Sequence, residues 1–247
     1  MSRNIIALSG GIASSVVADL VLQQIPESEL IFTDTKWEDA DLFRFLKDLE
    51  LKWNKEIIFL EDGRSPEELA YDKNFLMNNR VPFCSSELKA KVLQAYVEKG
   101  DTVFFGIGIE EKRRVIRISE IYESLGVNAR FTLIEKGFSN IEVNDIFKSW
   151  NILEPLLYRQ GFKHNNCSGG CVRAGEGNWI HLLKMRPEVY AERERVETEF
   201  SEWINKPVTF LKNISLKALR ERERERFAIL RARITGLYWN LQYSFLM

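Results

Sequence analysis

Residues 4–24, NIIALSGGIASSVVADLVLQQ, decide the fold. Asn4–Leu8 is a short apolar, isoleucine-bearing run of the kind that forms a buried strand. It ends in Ser9-Gly10-Gly11, and from Ser14 onward Val16, Val17, Leu20, Val21 and Gln24 recur at helical spacing. The stretch therefore reads strand, glycine turn, helix. Glycines let the backbone bend tightly and approach a ligand, and the helix start that follows presents unpaired N–H groups with a partial positive charge. With the hydroxyls of Ser9, Ser14 and Ser15 added, the turn is a candidate anion cradle. It lacks the lysine of G-x-x-x-x-G-K-[ST] and the spacing of G-x-G-x-x-G. A plain strand-to-helix turn capped by Ser14 would account for the same residues.

Working outward, the alternation repeats. Leu30–Thr33 is a second buried-type strand ending at Asp34, and Ala40–Leu51 carries Leu42, Phe43, Leu46 and Leu49 on one helical stripe. Glu56–Leu60 and Thr102–Ile107 read as strands, the latter closed by Gly106 and Gly108, and Arg130–Ile134 as a fifth. Helical patterns fill Glu67–Asn78, Ser86–Glu98 and Ile116–Leu125. Strands alternating with helices imply an α/β fold: a parallel sheet with right-handed crossovers, sandwiched by helices. Beyond about Asn144 the pattern becomes mainly helical, which predicts an α/β domain over 1–143 and a helical C-terminal region over 144–247. In that region Val143–Trp150, Trp179–Met185 and the stretch opened by Pro187 read as helices, around a Gly, Asn and Cys-rich loop at Gly161–Gly177. Lys217–Arg233, with seven basic against three acidic residues, reads as a solvated helix anchored by Leu219, Phe227 and Leu230, or as a nucleic-acid contact.

Composition narrows the function classes. With 35 basic and 36 acidic side chains in 247 residues, the net charge of -1 gives no global attraction to nucleic acid or to an anionic membrane. The N-terminal segment lacks the form of a secretion signal, and no uncharged run approaches the length of a membrane span, so a cytoplasmic protein without membrane contact is expected. Three cysteines are a poor disulfide framework and read as buried thiols, metal ligands or nucleophiles.

At this point the motifs resemble a known family. SGGIASSVVADLVL, residues 9–22, is similar to the pyrophosphate loop, SGGxDS, of the adenine-nucleotide hydrolase superfamily. FTDTKWEDADLFRFLKDLE, 32–50, and FFGIGIEEKRRV, 104–115, resemble the second strand and the Gly-acidic-Arg loop of its phosphoadenosine phosphosulfate (PAPS) reductase branch, in the same order. The resemblance implies a Rossmann-like sheet that binds ATP or a related adenine nucleotide. Ser9, Gly10, Gly11, Ser14 and Ser15 would cradle the phosphates, Thr33, Asp34, Thr35 and Gly106 would line the nucleotide site, and Glu110, Arg113 and Arg114 would reach the phosphates or a bound metal. Arg113 and Arg114 read equally as surface residues opening a helix. The family's loop aspartate is Ala13 here, so Asp34 or Glu110 would have to supply a carboxylate to Mg²⁺, which usually takes one or two.

The cysteines form a second constellation. Cys167 and Cys171 lie four residues apart around Gly169 and Gly170, where the backbone can wrap a metal without Cβ clashes, and Cys84 lies far upstream. The segment Cys84–Lys89 resembles the Cys-Cys-x-x-x-Lys segment of iron–sulfur adenylyl-sulfate reductases, with Ser85 in place of the second Cys. Three thiolates and an open position would suit a [4Fe–4S] cluster like that of iron–sulfur sulfurtransferases. With His164 the set would instead make a closed Cys₃His zinc site. Without metal, Cys84 is a small buried apolar residue. Arg159, Lys163, His164 and Arg173 add cationic or titratable groups around the loop, and such groups lower thiol pKa values and attract anions. Residues 166–197 resemble a signature of uncharacterised PAPS-reductase-like proteins, whereas the Glu-Cys-Gly of thioredoxin-dependent PAPS reductases is missing from the tail. His181, Trp179, Trp203 and Trp239 read as structural residues.

The expected activity is adenylation of an acceptor by attack on the α-phosphate of ATP, then sulfur delivery through the cysteine centre with Cys171 as the reactive thiol. A nucleic-acid base is a candidate acceptor, and the charged C-terminal helix and aromatic tail would suit a homodimer. Reduction of an adenylyl-sulfate, which would release sulfite without an acceptor, is the alternative enzyme. A nucleotide-binding module without catalysis, which Ala13 would permit, is the alternative of a different class; tight ATP binding without pyrophosphate release marks it.

Overall fold

The computed structural model describes residues 2–229, which form two compact units: 2–73 with 83–171, and 74–82 with the residues from 172 onward. In the first unit five parallel strands lie in the order β3-β2-β1-β4-β5: β1 Asn4–Leu8, β2 Glu29–Asp34, β3 Ile57–Glu61, β4 Thr102–Phe105 and β5 Asn128–Arg130. The expected Rossmann-like α/β architecture is present. The chain starts in the middle of the sheet, winds out to β3, then crosses β1 to β4, so β1 sits where the winding reverses.

The side-chain period of two splits the strands between two cores. Ile6, Leu8, Leu30, Phe32 and Phe104 point to one face. There they pack on Val16, Val17 and Val21 of helix α1 (Ile12–Leu22) and on Leu42, Phe45, Leu46 and Leu49 of α2 (Ala40–Trp53). Ile5, Ile31, Val103 and Phe105 point to the other face, towards Leu93, Tyr122 and Val127. Each such large side chain taken fully out of water stabilises the fold by about 1.5–3 kcal/mol, so the register of β1 against β2 and β4 is strongly fixed.

Three expectations are corrected. Arg130–Ile134 is not one strand: β5 ends at Arg130 and Thr132–Glu135 is a helical turn, where the Glu135 carboxylate accepts from the Phe131 amide and the Arg130 guanidinium. The helix expected over Glu67–Asn78 stops at Asp72, and the chain turns through Asn74 in the left-handed region at φ 49°. The division expected at 143/144 falls at 171/172 instead. Helix Asn140–Lys148 inserts Val143 and Phe147 into the core over α1, and so belongs to the sheet unit together with the cysteine loop.

The second unit is helical, with Glu176–Met185, Pro187–Trp203 and residues 216–229 in helices. Trp179 is wholly buried and stacks on Phe210 at 5.6 Å, as expected of a packing anchor, whereas Trp203 is half exposed. Glu197, only 3% exposed, accepts the amides of Phe210 at 2.9 Å and Leu216 at 2.7 Å. The charged helix is pinned by Leu219, which is buried, and by the Arg220–Glu194 and Arg222–Glu176 pairs. Leu230, Trp239 and the aromatic tail lie outside the described residues. Among the described residues no helix is long and apolar enough to cross a membrane.

Candidate functional site

The glycine loop leaves β1 at the carboxyl edge of the sheet. Gly10 is glycine for two reasons: its φ is +73°, and an added Cβ would lie 2.7 Å from Cδ1 of Leu42. Ser14 Oγ accepts the Ser9 amide at 3.1 Å and donates to the Gly11 carbonyl at 2.9 Å, and Ser15 Oγ donates to the same carbonyl at 3.0 Å. The serine hydroxyls therefore shape the loop from within, and the groups left to face a ligand are backbone amides. Helix α1 has Gly11 as its N-cap, with no side-chain cap and no acidic residue in its first turn. Its first N–H groups and the positive end of its dipole thus meet neither a capping side chain nor a carboxylate, the arrangement that favours an anion.

The neighbouring strand ends close around it. Gly106 follows β4, and a Cβ there would stand 2.5 Å from Ser14 Cα and 2.7 Å from Ser14 N, so only glycine lets the helix start pack onto the end of β4. Thr33 and Thr35 are buried at the end of β2, and the Asp34 carboxylate accepts the Lys36 amide at 2.8 Å. Glu110 lies in an exposed turn after β4, and Arg113 and Arg114 are exposed in the first turn of helix Lys112–Ser124, with Arg114 paired to Glu111. Ser9, Thr33–Thr35 and Gly106 thus share one edge of the sheet. Glu110 and the two arginines flank it from an exposed segment.

The cysteine loop meets that same edge. Cys167, Ser168 and Gly169 all have positive φ, 50°, 52° and 85°, a run of left-handed backbone that costs two non-glycine residues about 1–2 kcal/mol each. It is held by the Cys167 amide donating to Glu38 Oε2 at 2.9 Å and the Ser168 hydroxyl donating to the Trp37 carbonyl at 3.2 Å. The Glu38 carboxylate, with no solvent exposure, also takes the Thr35 hydroxyl at 3.0 Å and Lys89 Nζ at 2.7 Å. Cys167 is in hydrogen-bonding contact with Cys171, and Cys84 faces Cys171 as well. That contact, then burial and Glu38, pushes the Cys167 thiol well up, while burial followed by Cys171 raises Cys84 to about 11. Burial pulls the Lys89 ammonium down, but Glu38, Cys167 and Cys171 outweigh it and hold Lys89 charged. The cation at the thiols is therefore Lys89, not the expected loop cations: Arg159, Lys163 and His164 are exposed, and Arg159 is engaged by Asp41 and the Glu154 carbonyl.

The three thiols come together in pairs. Among the described residues no three of His, Cys, Asp or Glu converge on a point that would hold a metal ion. Lys89 already supplies the positive charge that a metal would bring to Cys167 and Cys171. Cys171 thus contacts both Cys167 and Cys84, without a three-ligand cluster among the described residues.

Two residues not singled out from the sequence join the glycine and cysteine loops. Asn165 Nδ2 donates to the Gly10 carbonyl in a buried hydrogen bond of 2.7 Å, two positions before Cys167. The Tyr158 hydroxyl lies 3.0 Å from where a Gly11 Cβ would stand, and the Ile12 and Asn165 amides face it. Glu38 is not singled out either; its signal is the mostly polar stretch Thr35–Asp39, broken by Trp37, directly after a strand end.

A parallel sheet whose winding reverses beside a glycine loop at its carboxyl edge defines the class of doubly wound α/β proteins, in which ligands lie outside the carboxyl ends of the strands. Residues 3–126 match the phosphoadenosine phosphosulfate reductase domain, about half of the chain, and the protein belongs to that family. It is 26% identical over 199 residues to an uncharacterised protein of Methanocaldococcus jannaschii, covering 74% of this chain and 45% of the relative. The chain thus spans less than half the length of that curated relative. Its fold resembles that of the phosphoadenylyl-sulfate reductase from Candida auris, solved as a phosphate complex, with a TM-score of 0.50 at 16% identity over 67% of this chain and 81% of that one.

Proposed function

We propose that this protein binds an adenine nucleotide with its phosphates on the Gly10–Ser15 amides and transfers sulfur through the adjacent cysteine loop. The observation that carries the reading is the Asn165–Gly10 hydrogen bond, which ties the anion loop to the thiols within a few residues of both. In the first step an acceptor oxygen attacks the α-phosphorus of ATP, a P–O bond forms, and pyrophosphate leaves with the electron pair of the broken bond. Loop amides stabilise the developing phosphoryl charge, with Arg113 and Arg114 drawn from the flanking turn. Mg²⁺ would neutralise the leaving pyrophosphate, with Asp34 or Glu110 as its carboxylate.

In the second step the terminal sulfur of a persulfide on Cys171 attacks the activated carbon and adenosine monophosphate departs. Cys167 then attacks the Cys171 sulfur, the acceptor leaves as its thiol, and a Cys167–Cys171 disulfide remains for an external dithiol to reduce. The contact between Cys167 and Cys171 supports the resolving role, and Lys89 favours whichever sulfur carries the negative charge. A nucleic-acid base is the acceptor we favour. The test is calorimetric titration with ATP and Mg²⁺, joined to mass spectrometry after treatment with a persulfide donor. Micromolar-range binding with one extra sulfur on Cys171 supports the reading, and a nucleotide that does not bind overturns it.

The Cys167–Cys171 contact also favours a second reading. A dithiol can supply two electrons, so an adenylyl-sulfate would be reduced to sulfite as the disulfide forms. Sulfite release without an acceptor distinguishes it.

A further inference from the structure

The loop that would receive phosphate is not held by the sheet alone. Gly10 offers its carbonyl to a buried Asn165 amide, and Tyr158 closes over Gly11 with its hydroxyl opposite the amide of Ile12, the first residue of α1. That Ile12 N–H is one of the donors a bound phosphate would take. A phosphate entering the cradle would therefore meet the Tyr158 hydroxyl, which stands directly over Gly11. The Asn165 backbone N–H faces the same hydroxyl while its side chain holds the Gly10 carbonyl, and Cys167 follows two residues later with its own amide fixed on Glu38. The cysteine loop is also backbone-strained at Cys167 and Ser168, so small displacements there change how the thiols are presented.

We propose that Tyr158 and Asn165 are positioning residues that couple occupancy of the glycine loop to the exposure and reactivity of Cys171. The coupling rests on the nucleotide-binding half of the proposed function. It makes the thiols respond to phosphate groups before any acceptor is present. The linkage runs through a phenol, a carboxamide and backbone groups of one compact unit.

The experiment is the rate of alkylation of Cys171 in the full chain by N-ethylmaleimide, followed by peptide mass spectrometry. Rates are measured with and without ATP and, separately, inorganic pyrophosphate, and binding of each is followed by calorimetry. In the wild type, saturating ligand changes the Cys171 rate by at least about fivefold, the lower end of ordinary coupling between sites. In Tyr158→Phe, which keeps the ring and loses the hydroxyl, and in Asn165→Ala, the ligand-dependent ratio falls towards one at ligand levels that saturate each variant. A merely structural role would shift the alkylation rate equally with and without ligand and leave the ratio intact. That result overturns the coupling, as does a wild type that binds ATP with an unchanged Cys171 rate, or variants that lose binding outright. A wild type that binds neither ATP nor pyrophosphate overturns the proposed function and the coupling with it.

Discussion

Gly106→Ala is the perturbation whose outcome the geometry fixes most closely. The new methyl would meet Ser14 Cα at 2.5 Å and Ser14 N at 2.7 Å, distances that real Cβ atoms do not tolerate. The obstacle is helix backbone, which no rotamer change can move aside. The start of α1 must back away from β4, and with it the amides of the proposed anion cradle. Overpacking of this kind costs about 1–3 kcal/mol, and contact with backbone places this case near 3, a fall in Tm of about 6–12 °C for a chain of this size. Each charge-assisted bond from a loop amide to phosphate contributes roughly 1.5–3 kcal/mol, so misplacing one weakens ATP binding about tenfold or more. Gly108→Ala is the control, because its added methyl would find only an ordinary 3.6 Å contact with Asn140. Thermal unfolding and ATP calorimetry on both variants make the comparison. A Gly106→Ala protein as stable and as avid as Gly108→Ala would refute the reasoning that this glycine seats the anion loop.

Other consequences follow from single residues. Asn165→Ala leaves the buried Gly10 carbonyl unpaired and should cost about 1–3 kcal/mol in denaturant unfolding; a loss within error would show that the contact holds nothing. Removing the charge of Lys89 by Lys89→Met strands the buried Glu38 carboxylate and should cost about 3 kcal/mol, discounted for the partial exposure of the lysine, while Glu38→Gln together with Lys89→Met should recover part of it. Glu197, pushed up to about 7 mainly by burial, binds its proton more tightly folded than unfolded, so stability is greatest below its ordinary carboxylate range and falls as pH rises towards 7. The total change is on the order of 3 kcal/mol, and Glu197→Gln, which does not titrate, should flatten that slope. Cys84, raised to about 11, should alkylate slowly at pH 7 and gain about tenfold per pH unit up to that value; a fast, pH-independent rate at neutral pH would contradict its burial as a thiol.

Much of the fold was legible in the first two dozen residues, because the strand, the double glycine and the valine spacing of α1 are all local signals. The boundary between the units was not. Helix Asn140–Lys148 looks from its sequence like the start of a helical region, and only its packing of Val143 and Phe147 over α1 assigns it to the sheet. The fifth strand was misplaced because Phe131–Ile134 has strand-like composition, while the Glu135 carboxylate draws the chain into a turn through the Phe131 amide. Of the candidate site, Gly10, Gly106 and the serines could be read because turns and close approaches demand particular residue types. Glu38, Tyr158 and Asn165 could not. Their roles arise from hydrogen bonds spanning 129 residues from Glu38 to Cys167 and 155 from Asn165 to Gly10, and no local pattern encodes such pairs. The cationic neighbour of the thiols was expected among the loop residues and is instead Lys89, brought in from the turn after Cys84.

The central claim is that phosphate binds to the backbone amides between Gly10 and Ser15, and a crystal structure of the protein grown with ATP and Mg²⁺ tests it most directly. The account predicts phosphate oxygens within hydrogen-bonding distance of those amides, with the base beside Thr33–Thr35. Density for the nucleotide at any other edge of the sheet, with the glycine loop unchanged and free of phosphate, would contradict it.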